Sequence, residues 1–268
     1  MELSLAFSPC PNDTFIFDAL VNGKIDSEGL EFKVSLEDVE TLNQQALQSK
    51  YDISKISYGV YHEIISEYVV LNSGSALGRG VGPLLIVKEN GMANINEIVA
   101  IPGEHTTAHF LFAHAFPATA HKVFLRYDEI ENYVLEGKGP GVIIHENRFT
   151  YQDKGLQLVE DLGSHWEQKC GLPIPLGGIV VGRKHDIVLQ KKIDRLIADS
   201  IRYAFSHYPQ LNDYIRCHAQ EMSEAVMLQH IDLYVNDFTL NLGNEGKNAI
   251  RKMMRFFGIE ENQNIFLD

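Results

Sequence analysis

Cysteines, long apolar runs and basic residues are all scarce in this 268-residue sequence. The three cysteines, Cys10, Cys170 and Cys217, are too few and too widely spaced for a disulfide framework, which predicts a reducing compartment. No run of 18 apolar residues is present, so the sequence offers no candidate transmembrane helix. Lys and Arg number 23 against 36 Asp and Glu, a net charge of −13, so the chain lacks the basic face that nucleic-acid binding needs.

The amino terminus lacks the two features of a secretory signal peptide, a basic segment followed by a long apolar segment. We therefore expect a cytoplasmic protein that does not insert into a membrane. The length of the chain predicts two domains of about 100–150 residues each, or one large domain.

Predicted strands and helices alternate along the chain, which is typical of a parallel or mixed sheet covered by helices. In the first 71 residues the predicted strands are Leu3–Phe7, Leu30–Leu36, Ile53–Ile56 and Val69–Leu71. The predicted helices run from a cap at Asn12 and Asp13 to about Asn22, over Val39–Gln48, and from Ser57 to about Tyr68. A second set of units begins with a strand at Ile98–Ile101, and the chain from Ile187 onward is largely helical.

The stretch SPCPNDTFIF, Ser8–Phe17, forms the junction between the first strand and the first helix. Two prolines bar a helix through the turn, and Asn12 and Asp13 are suited to cap the helix that follows. Cys10 is predicted to be a small residue packed in the turn, because no histidine partner for it is evident in the sequence. Ligands in open α/β sheets bind at such carboxyl ends of strands, so Asn12 and Asp13 also become possible cleft residues.

Two segments rich in glycine and proline, Gly74–Pro83 and Gly171–Gly178, interrupt the α/β pattern. They predict a bilobed α/β protein with a central cleft, the layout of the periplasmic-binding-protein-like (type II) fold, in which closure is a hinge motion. Lobe one would comprise residues 1–88 and 176–268, including the C-terminal helices. Lobe two would be the inserted residues 89–175, which carry Thr106, Thr107 and His145.

His145 is the sharpest candidate for chemistry, because it ends the apolar strand predicted over Gly141–His145 and therefore faces the cleft. An imidazole titrates near neutrality and suits general acid–base catalysis. The alternative is a hydrogen-bonded loop histidine without a catalytic function.

Anion-binding candidates lie at three other places in the pattern. Thr106 and Thr107 begin a predicted helix, and helix-start amides with two hydroxyls suit a carboxylate or phosphate. Lys55 and Ser57 are the candidates in lobe one, and Arg79 lies in the glycine-rich crossover. The alternatives are ordinary helix caps, a solvated lysine and a hinge.

A metal site is not predicted. His105 and His109 are four residues apart and share a helical face, but no HExxH motif or cysteine cluster accompanies them.

Eight segments, taken in order, resemble the 1,4-dihydroxy-6-naphthoate synthase family of the futalosine route to menaquinone. They extend from the first strand to Gly178 and are SPCPNDTFIF, LEDVETLN, KISY, GSALGRGVGPL, PGEHTTA, IIHENRFTY, DLGSHW and GLPIPLGG. No single segment is decisive, but the ordered set is highly specific.

The resemblance implies a cytoplasmic carbon–carbon lyase with the bilobed fold, requiring no cofactor or metal. It implies the substrate cyclic dehypoxanthinyl futalosine, a spiro-fused bicyclic carboxylate with a sugar-derived part. The enzyme would convert this substrate to 1,4-dihydroxy-6-naphthoate and release the sugar-derived part. The family's proton-accepting histidine corresponds to His145, and its substrate-binding residues to Lys55, Ile56, Ser57, Thr106 and Thr107. Glu104 departs from the pattern, because the family has a basic residue there and a carboxylate would not help to bind an anion.

Three other functions compete with this hypothesis. A solute-binding protein of the same fold would normally carry an export signal, and a chorismate dehydratase shares the fold and pathway but needs a different pocket. A transcriptional effector-binding domain would carry a helix-turn-helix or basic patch. The expected partner is a small anionic substrate, and the C-terminal helices either form a homodimer face or cover lobe one.

Overall fold

Two β-sheets and twelve α-helices make up the described part of the chain. The structure is a computed structural model that describes residues 1–89, 91, 97–219 and 223–267. The strands are β1 (Glu2–Phe7), β2 (Glu31–Leu36), β3 (Ile53–Ser57), β4 (Tyr68–Val70), β5 (Ala76–Gly78), β6 (Leu84–Lys88), β7 (Val99–Ile101), β8 (Lys122–Phe124), β9 (Gly141–Ile143), β10 (Leu156–Asp161) and β11 (Ile174–Gly182). The helices are α1 (Pro11–Val21), α2 (Val39–Leu47), α3 (Tyr61–Ile64), α4 (Thr107–Ala115), α5 (Ile130–Leu135), α6 (Asn147–Thr150), α7 (Leu162–Cys170), α8 (Ile187–His207), α9 (Asp213–His218), α10 (Glu224–Tyr234), α11 (Asp237–Leu240) and α12 (Gly243–Phe256).

The first sheet has the strand order β2-β1-β3-β11-β4, with β5 also paired to β11. Strands β1, β2 and β3 are parallel because a helix follows each of the first two and returns the chain to the same edge. Strand β11 enters the sheet from the opposite direction and is antiparallel to β3, β4 and β5.

The second sheet has the order β10-β6-β9-β7-β8. It mixes parallel pairs, β7 with β8 and with β9, and antiparallel pairs, β6 with β9 and with β10. Strand β6 therefore belongs to the second sheet, whereas the predicted lobe one includes residues 84–88. We propose that the lobes divide between β5 and β6 on the outward crossing, and between α7 and β11 on the return.

Two predicted helix starts are wrong. Helix α1 begins at Pro11, with Cys10 at the N-cap position and no capping side chain, so Asn12 and Asp13 lie inside the first turn. Proline is well suited to that first position, because its missing N–H would have no partner there. Ser57 is the last residue of β3, and the helix expected to begin there is only the short α3.

The C-terminal helices pack against lobe one. The apolar face of α8 lies on α1 and the first sheet, where Ile193, Leu196 and Ile197 are buried with Phe17. A smaller apolar cluster joins Phe15 of α1 to residues of α9 and α10. This packing places α10 at the edge of the cleft. Within the described ranges, no helix has the length and apolar character that crossing a bilayer requires.

Candidate active site

A cavity lies between the two sheets and encloses about 700 Å³, including its open mouth. Its mostly apolar walls with a few convergent polar side chains are typical of a small-molecule site. The polar residues that line it are Ser8, Asn12, Asp13, Lys55, Ser57, Thr106, Thr107, His145 and His230. The other lining residues are Val39, Leu42, Ile56, Ala76, Val81, Pro83, Ala108, Ile144, Leu176, Gly177 and Tyr234. All but one of the residues predicted as catalytic, substrate-binding or cleft-lining meet here.

His145 lies two residues beyond β9 and adopts a left-handed backbone conformation, with φ 56°. Residues other than glycine rarely occupy this region, and such conformations cost free energy and concentrate at functional sites. The strand predicted to end on His145 ends at Ile143, so the imidazole is positioned by a turn between β9 and α6.

The imidazole of His145 lies beside the thiol of Cys10, for which no histidine partner is evident in the sequence. Its Nδ1 is 3.6 Å from Sγ of Cys10. Burial lowers the pKa of His145, partly offset by the carboxylates of Glu146 and Asp13. Burial raises the pKa of the Cys10 thiol. The pair is therefore a neutral imidazole and a protonated thiol at neutral pH, rather than a thiolate–imidazolium pair.

Lys55 is buried and paired within the protein. Its Nζ donates to Oδ1 of Asp13 at 2.6 Å. The other oxygen of Asp13 accepts from the backbone N–H of Ser8 at 3.2 Å and from its hydroxyl at 2.7 Å. The side chain of Asn12 donates to Asp13 at 2.8 Å. Asp13 thus holds Lys55 and the turn together, and Lys55 is not an uncompensated cation in the cleft.

Ser57 is fixed at the end of β3 by Asn43 of α2. Its backbone N–H donates to the Asn43 amide oxygen at 2.8 Å, and Asn43 Nδ2 donates to the Ser57 hydroxyl oxygen at 3.0 Å. The same Asn43 nitrogen reaches the carbonyl of His105 at 3.2 Å. Since the serine oxygen accepts from Asn43, its own hydroxyl proton is directed elsewhere, and Ser57 lines the cavity.

The two threonines at the start of α4 have different functions in the fold. Thr106 is the N-cap residue and accepts from the N–H of His109 at 3.2 Å. The Thr107 hydroxyl accepts from the N–H of Gly59 at 3.0 Å and donates to the carbonyl of Leu176 at 2.6 Å. Thr107 therefore joins the second sheet's helix to β11 and to the turn after β3.

Gly59 allows this close contact. A Cβ atom at this position would lie 2.7 Å from the carbonyl carbon and oxygen of Thr106 and 2.9 Å from the N–H nitrogen of Thr107. Side chains do not tolerate such distances to backbone atoms. Glu40 of α2 adds a second contact across the cleft, since it accepts from the backbone N–H of His105 at 3.0 Å and from its imidazole at 2.7 Å.

Four other residues singled out in the sequence lie away from the cavity. The prediction that Arg79 lines the cleft is wrong, because its half-exposed side chain pairs with Glu245 at 3.0 Å. Glu104 is exposed, and its carbonyl accepts from the His109 imidazole at 2.8 Å. Neither His105 nor His109 belongs to a metal-binding cluster in the part of the chain that the structure describes.

His230 of α10 is a cavity residue that sequence reasoning missed. Its side chain is 1% exposed, and neither ring nitrogen has a hydrogen-bond partner within the described residues. Burial lowers its pKa well below the usual value, and the nearby His145 and Lys55 lower it further. The available signal was a histidine on the apolar face of a helix, next to Ile231 and near Met227, which ordinarily indicates a core position.

A second, more polar cavity adjoins the first and shares Ser8, Val39 and His145 with it. Its remaining lining residues are Pro9, Cys10, Leu36, Glu37, Asp38, Arg126 and Tyr127. His145 therefore stands between a largely apolar chamber and a polar vestibule. The first cavity is the chamber and the second is the vestibule.

Comparison with known sequences identifies close relatives of the chain. The profile of the family described as menaquinone biosynthesis matches residues 3–258. A 1,4-dihydroxy-6-naphthoate synthase of Thermus thermophilus is 46% identical over 255 residues, covering 94% of this chain and 92% of the relative. The enzyme of the same name from Streptomyces coelicolor is 40% identical over 258 residues, covering 94% and 91%.

Solved structures agree with the fold predicted from the pattern. A crystal structure of an Archaeoglobus fulgidus protein superposes with a TM-score of 0.89 at 30% identity, covering 96% of this chain and 97% of the other. A Candida albicans protein described as having the generic periplasmic binding protein fold gives 0.67 at 11% identity, covering 98% and 92%. The predicted bilobed periplasmic-binding-protein-like architecture is confirmed.

Proposed function

The chain belongs to the menaquinone biosynthesis family, and on that premise we propose that it is a 1,4-dihydroxy-6-naphthoate synthase. In this proposal the enzyme is a cytoplasmic carbon–carbon lyase without a cofactor. It cleaves cyclic dehypoxanthinyl futalosine to 1,4-dihydroxy-6-naphthoate and releases the sugar-derived carbons. The identity of 46% and 40% to two synthases over most of the chain supports it.

One geometric observation supports the proposed reaction, in addition to membership of the family. Lys55, Ser57, Thr106, Thr107 and His145 come from both sheets of the molecule, yet they line a single cavity. These are the residues that the resemblance assigned to substrate binding and proton abstraction. A ligand held in this cavity touches the binding residues and the base at once.

The two compartments suit the two parts of the substrate. The chamber has mostly apolar walls, including Leu42, Ile56 and Val81, so it suits the bicyclic ring system. The substrate carboxylate is placed at the start of α4, near the N–H groups of Thr107 and Ala108 and the hydroxyl of Ser57. Helix-start amides favour a negative charge. The polar vestibule then receives the hydroxylated, sugar-derived part.

His145 stands where these two parts meet, and its neutral imidazole is the proposed base. It removes a proton from the substrate, and the C–H electron pair drives an elimination in which a bond of the sugar-derived ring breaks and its electrons leave on oxygen. Cleavage of the carbon–carbon bond to the sugar-derived carbons then releases them. Aromatisation of the second ring supplies the driving force, so a general base that contributes about 10²–10⁴-fold is sufficient chemistry from the side chains. The left-handed backbone at His145 keeps the ring directed at the junction of the compartments.

Closure of the lobes supplies positioning and excludes water. Thr107 and Gly59 form a contact across the cleft, and Glu40 with His105 forms another. Because water is excluded, the hydrogen bonds to the substrate strengthen. An oriented base and substrate then react as if in one molecule.

The deciding experiment incubates purified protein with cyclic dehypoxanthinyl futalosine and follows the product by chromatography and mass. His145→Ala should lower turnover by about 10²–10⁴-fold while still binding 1,4-dihydroxy-6-naphthoate. His121→Ala, which alters an exposed histidine of the second lobe, is the matched control and should retain activity. A wild-type protein that binds the compound without converting it would instead be a binding protein of the same fold.

A further inference from the structure

His230 stands out among the buried polar side chains of the cavity. Its side chain is 1% exposed, it lines the chamber, and both ring nitrogens lack a hydrogen-bond partner within the described residues. Buried polar groups are nearly always hydrogen-bonded, and leaving one unpaired destabilises the fold. Because the unpaired side chain of His230 lies in the wall of a cavity, a ligand atom is the natural candidate for its missing hydrogen-bond partner.

The surroundings of His230 keep its ring neutral. Its ring lies nearly parallel to that of His145, with centroids 6.2 Å apart and an interplanar angle of 16°. Tyr234 and Phe149 face it from other sides, at 4.7 Å and 6.4 Å between centroids. Among charged groups, the Lys55 ammonium disfavours a second positive charge here. When His145 takes up a proton, this repulsion increases, so His230 stays uncharged.

We propose that His230 contacts the substrate and donates an N–H hydrogen bond to a carbonyl oxygen on the bicyclic ring system. Negative charge builds on that oxygen as His145 removes the proton. This inference rests on the proposed function. A neutral imidazole can polarise a carbonyl in this way, as a donor that keeps its proton. The product carries two hydroxyl oxygens on one ring, and either oxygen offers such a position.

The electron count of the step is simple. The C–H electrons next to a carbonyl form a carbon–carbon double bond as the proton moves to His145. The carbonyl electrons move on to oxygen, and the N–H of His230 binds that oxygen without transferring its proton. His145 and His230 thus divide the work, one accepting the proton and the other stabilising the charge left behind.

The test compares two ligands that differ only in the relevant oxygens. 1,4-Dihydroxy-6-naphthoate, kept under anaerobic conditions, has both hydroxyls, and 2-naphthoate has the same carboxylated rings without them. Calorimetry measures their Kd values with wild type, His230→Phe and His230→Gln. His230→Phe should lose about 10-fold in affinity for the dihydroxy compound and little for 2-naphthoate. His230→Gln, which keeps an N–H donor, should recover most of the loss.

Turnover and spectroscopy separate contact from packing. His230→Phe should lower kcat by about 100-fold, as expected for loss of one donor to a developing oxyanion. In wild type, the ring nitrogen resonances of His230 should move on addition of the dihydroxy compound and stay in place with 2-naphthoate. This NMR readout needs no variant, so it holds even where a substitution fails to fold.

Several results would overturn the inference. Equal losses for both ligands would make His230 a packing residue, and unchanged affinities with unchanged resonances would show that it does not touch the ligand. Failure of the proposed function looks different, because wild-type protein would then bind neither naphthoate or would leave cyclic dehypoxanthinyl futalosine unchanged. A wild type that shows the hydroxyl-dependent shift but no turnover would keep the contact and reject the lyase.

Discussion

At the scale of single residues, the cleft contains a charged pair that is complete without ligand. Lys55 and Asp13 are 6% and 1% exposed, and their side chains are 2.6 Å apart. A lysine in a substrate-binding cavity ordinarily indicates a cation waiting for an anion. Here its charge is neutralised by Asp13, so anion binding in the cleft depends more on amide and hydroxyl donors.

We therefore expect Lys55→Met to destabilise the folded protein, in addition to any effect on substrate binding. Removal of one member of a buried pair leaves the other charge uncompensated, and we expect the free energy of unfolding to fall by about 3–5 kcal/mol. Urea denaturation measures this change. The double variant Asp13→Asn/Lys55→Met should recover much of the loss, and an equal loss in both variants would show that the pairing is not the cause.

Individual site residues were predictable where their neighbours in sequence determine them. His145 lies two residues beyond β9, and Thr106 and Thr107 begin α4 after the turn that follows β7, so the order of strand, turn and helix places them at the cleft. Arg79 was misplaced because a glycine-rich loop does not reveal which way its side chains point. His230 was missed because its position depends on how α10 docks against α1, a contact between distant parts of the chain.

At the scale of elements, the start of α4 combines capping with contact between the lobes. Thr106 satisfies an N–H of its own helix, whereas the Thr107 hydroxyl satisfies two backbone groups of the first sheet, at Gly59 and Leu176. The same helix start is the proposed carboxylate site. Substrate binding and closure are thus coupled through one turn of helix.

Thr107→Val tests this coupling with little change in shape. It leaves the N–H of Gly59 without a partner and removes one of the two donors to the carbonyl of Leu176, which keeps the N–H of Tyr58 at 3.1 Å. We therefore expect about 1–3 kcal/mol less stability and a lower kcat/KM. Thermal unfolding and steady-state kinetics measure the two effects. Thr107→Ser keeps the hydroxyl and should behave nearly as wild type, and a serine variant as impaired as the valine one would assign the effect to the lost methyl group instead.

Elements with strong local patterns were predicted well, and those determined by pairing were not. The long α8 begins at Ile187, where the largely helical part of the chain is predicted to begin, because 21 residues with helical periodicity leave little ambiguity. Strand β11 begins at Ile174 inside the segment GLPIPLGG, which glycine and proline content marked as a crossover. Its strand conformation comes from hydrogen bonds to β3 and β5, which the local sequence does not show.

At the scale of the whole molecule, burying two neutral histidines makes stability depend on pH. The pKa values of His145 and His230 are lowered in the folded state from an ordinary value near 6.5. Below that pH the unfolded chain takes up protons that the folded chain does not. Their contribution is therefore complete above pH 6.5 and is lost progressively as the pH falls toward the folded-state pKa.

Stability measured between pH 7 and 5 should accordingly fall, by up to about 1.4 kcal/mol per pH unit for each histidine in that range. His230→Phe should flatten the dependence, because one such group is removed. His121→Phe alters an exposed histidine and should leave the slope of the wild type. Parallel slopes in all three proteins would show that His230 is not held neutral by the fold.

The place of β11 in the first sheet also affects how the protein is made. Strands β3 and β4 lie on either side of it, and its residues 174–182 follow the whole second sheet in the chain. A nascent chain that has emerged from the ribosome only as far as residue 173 has made every strand of the second sheet. It still lacks β11, the strand that lies between β3 and β4 in the first sheet. The binding cleft therefore forms late in translation, after the inserted lobe has had time to fold.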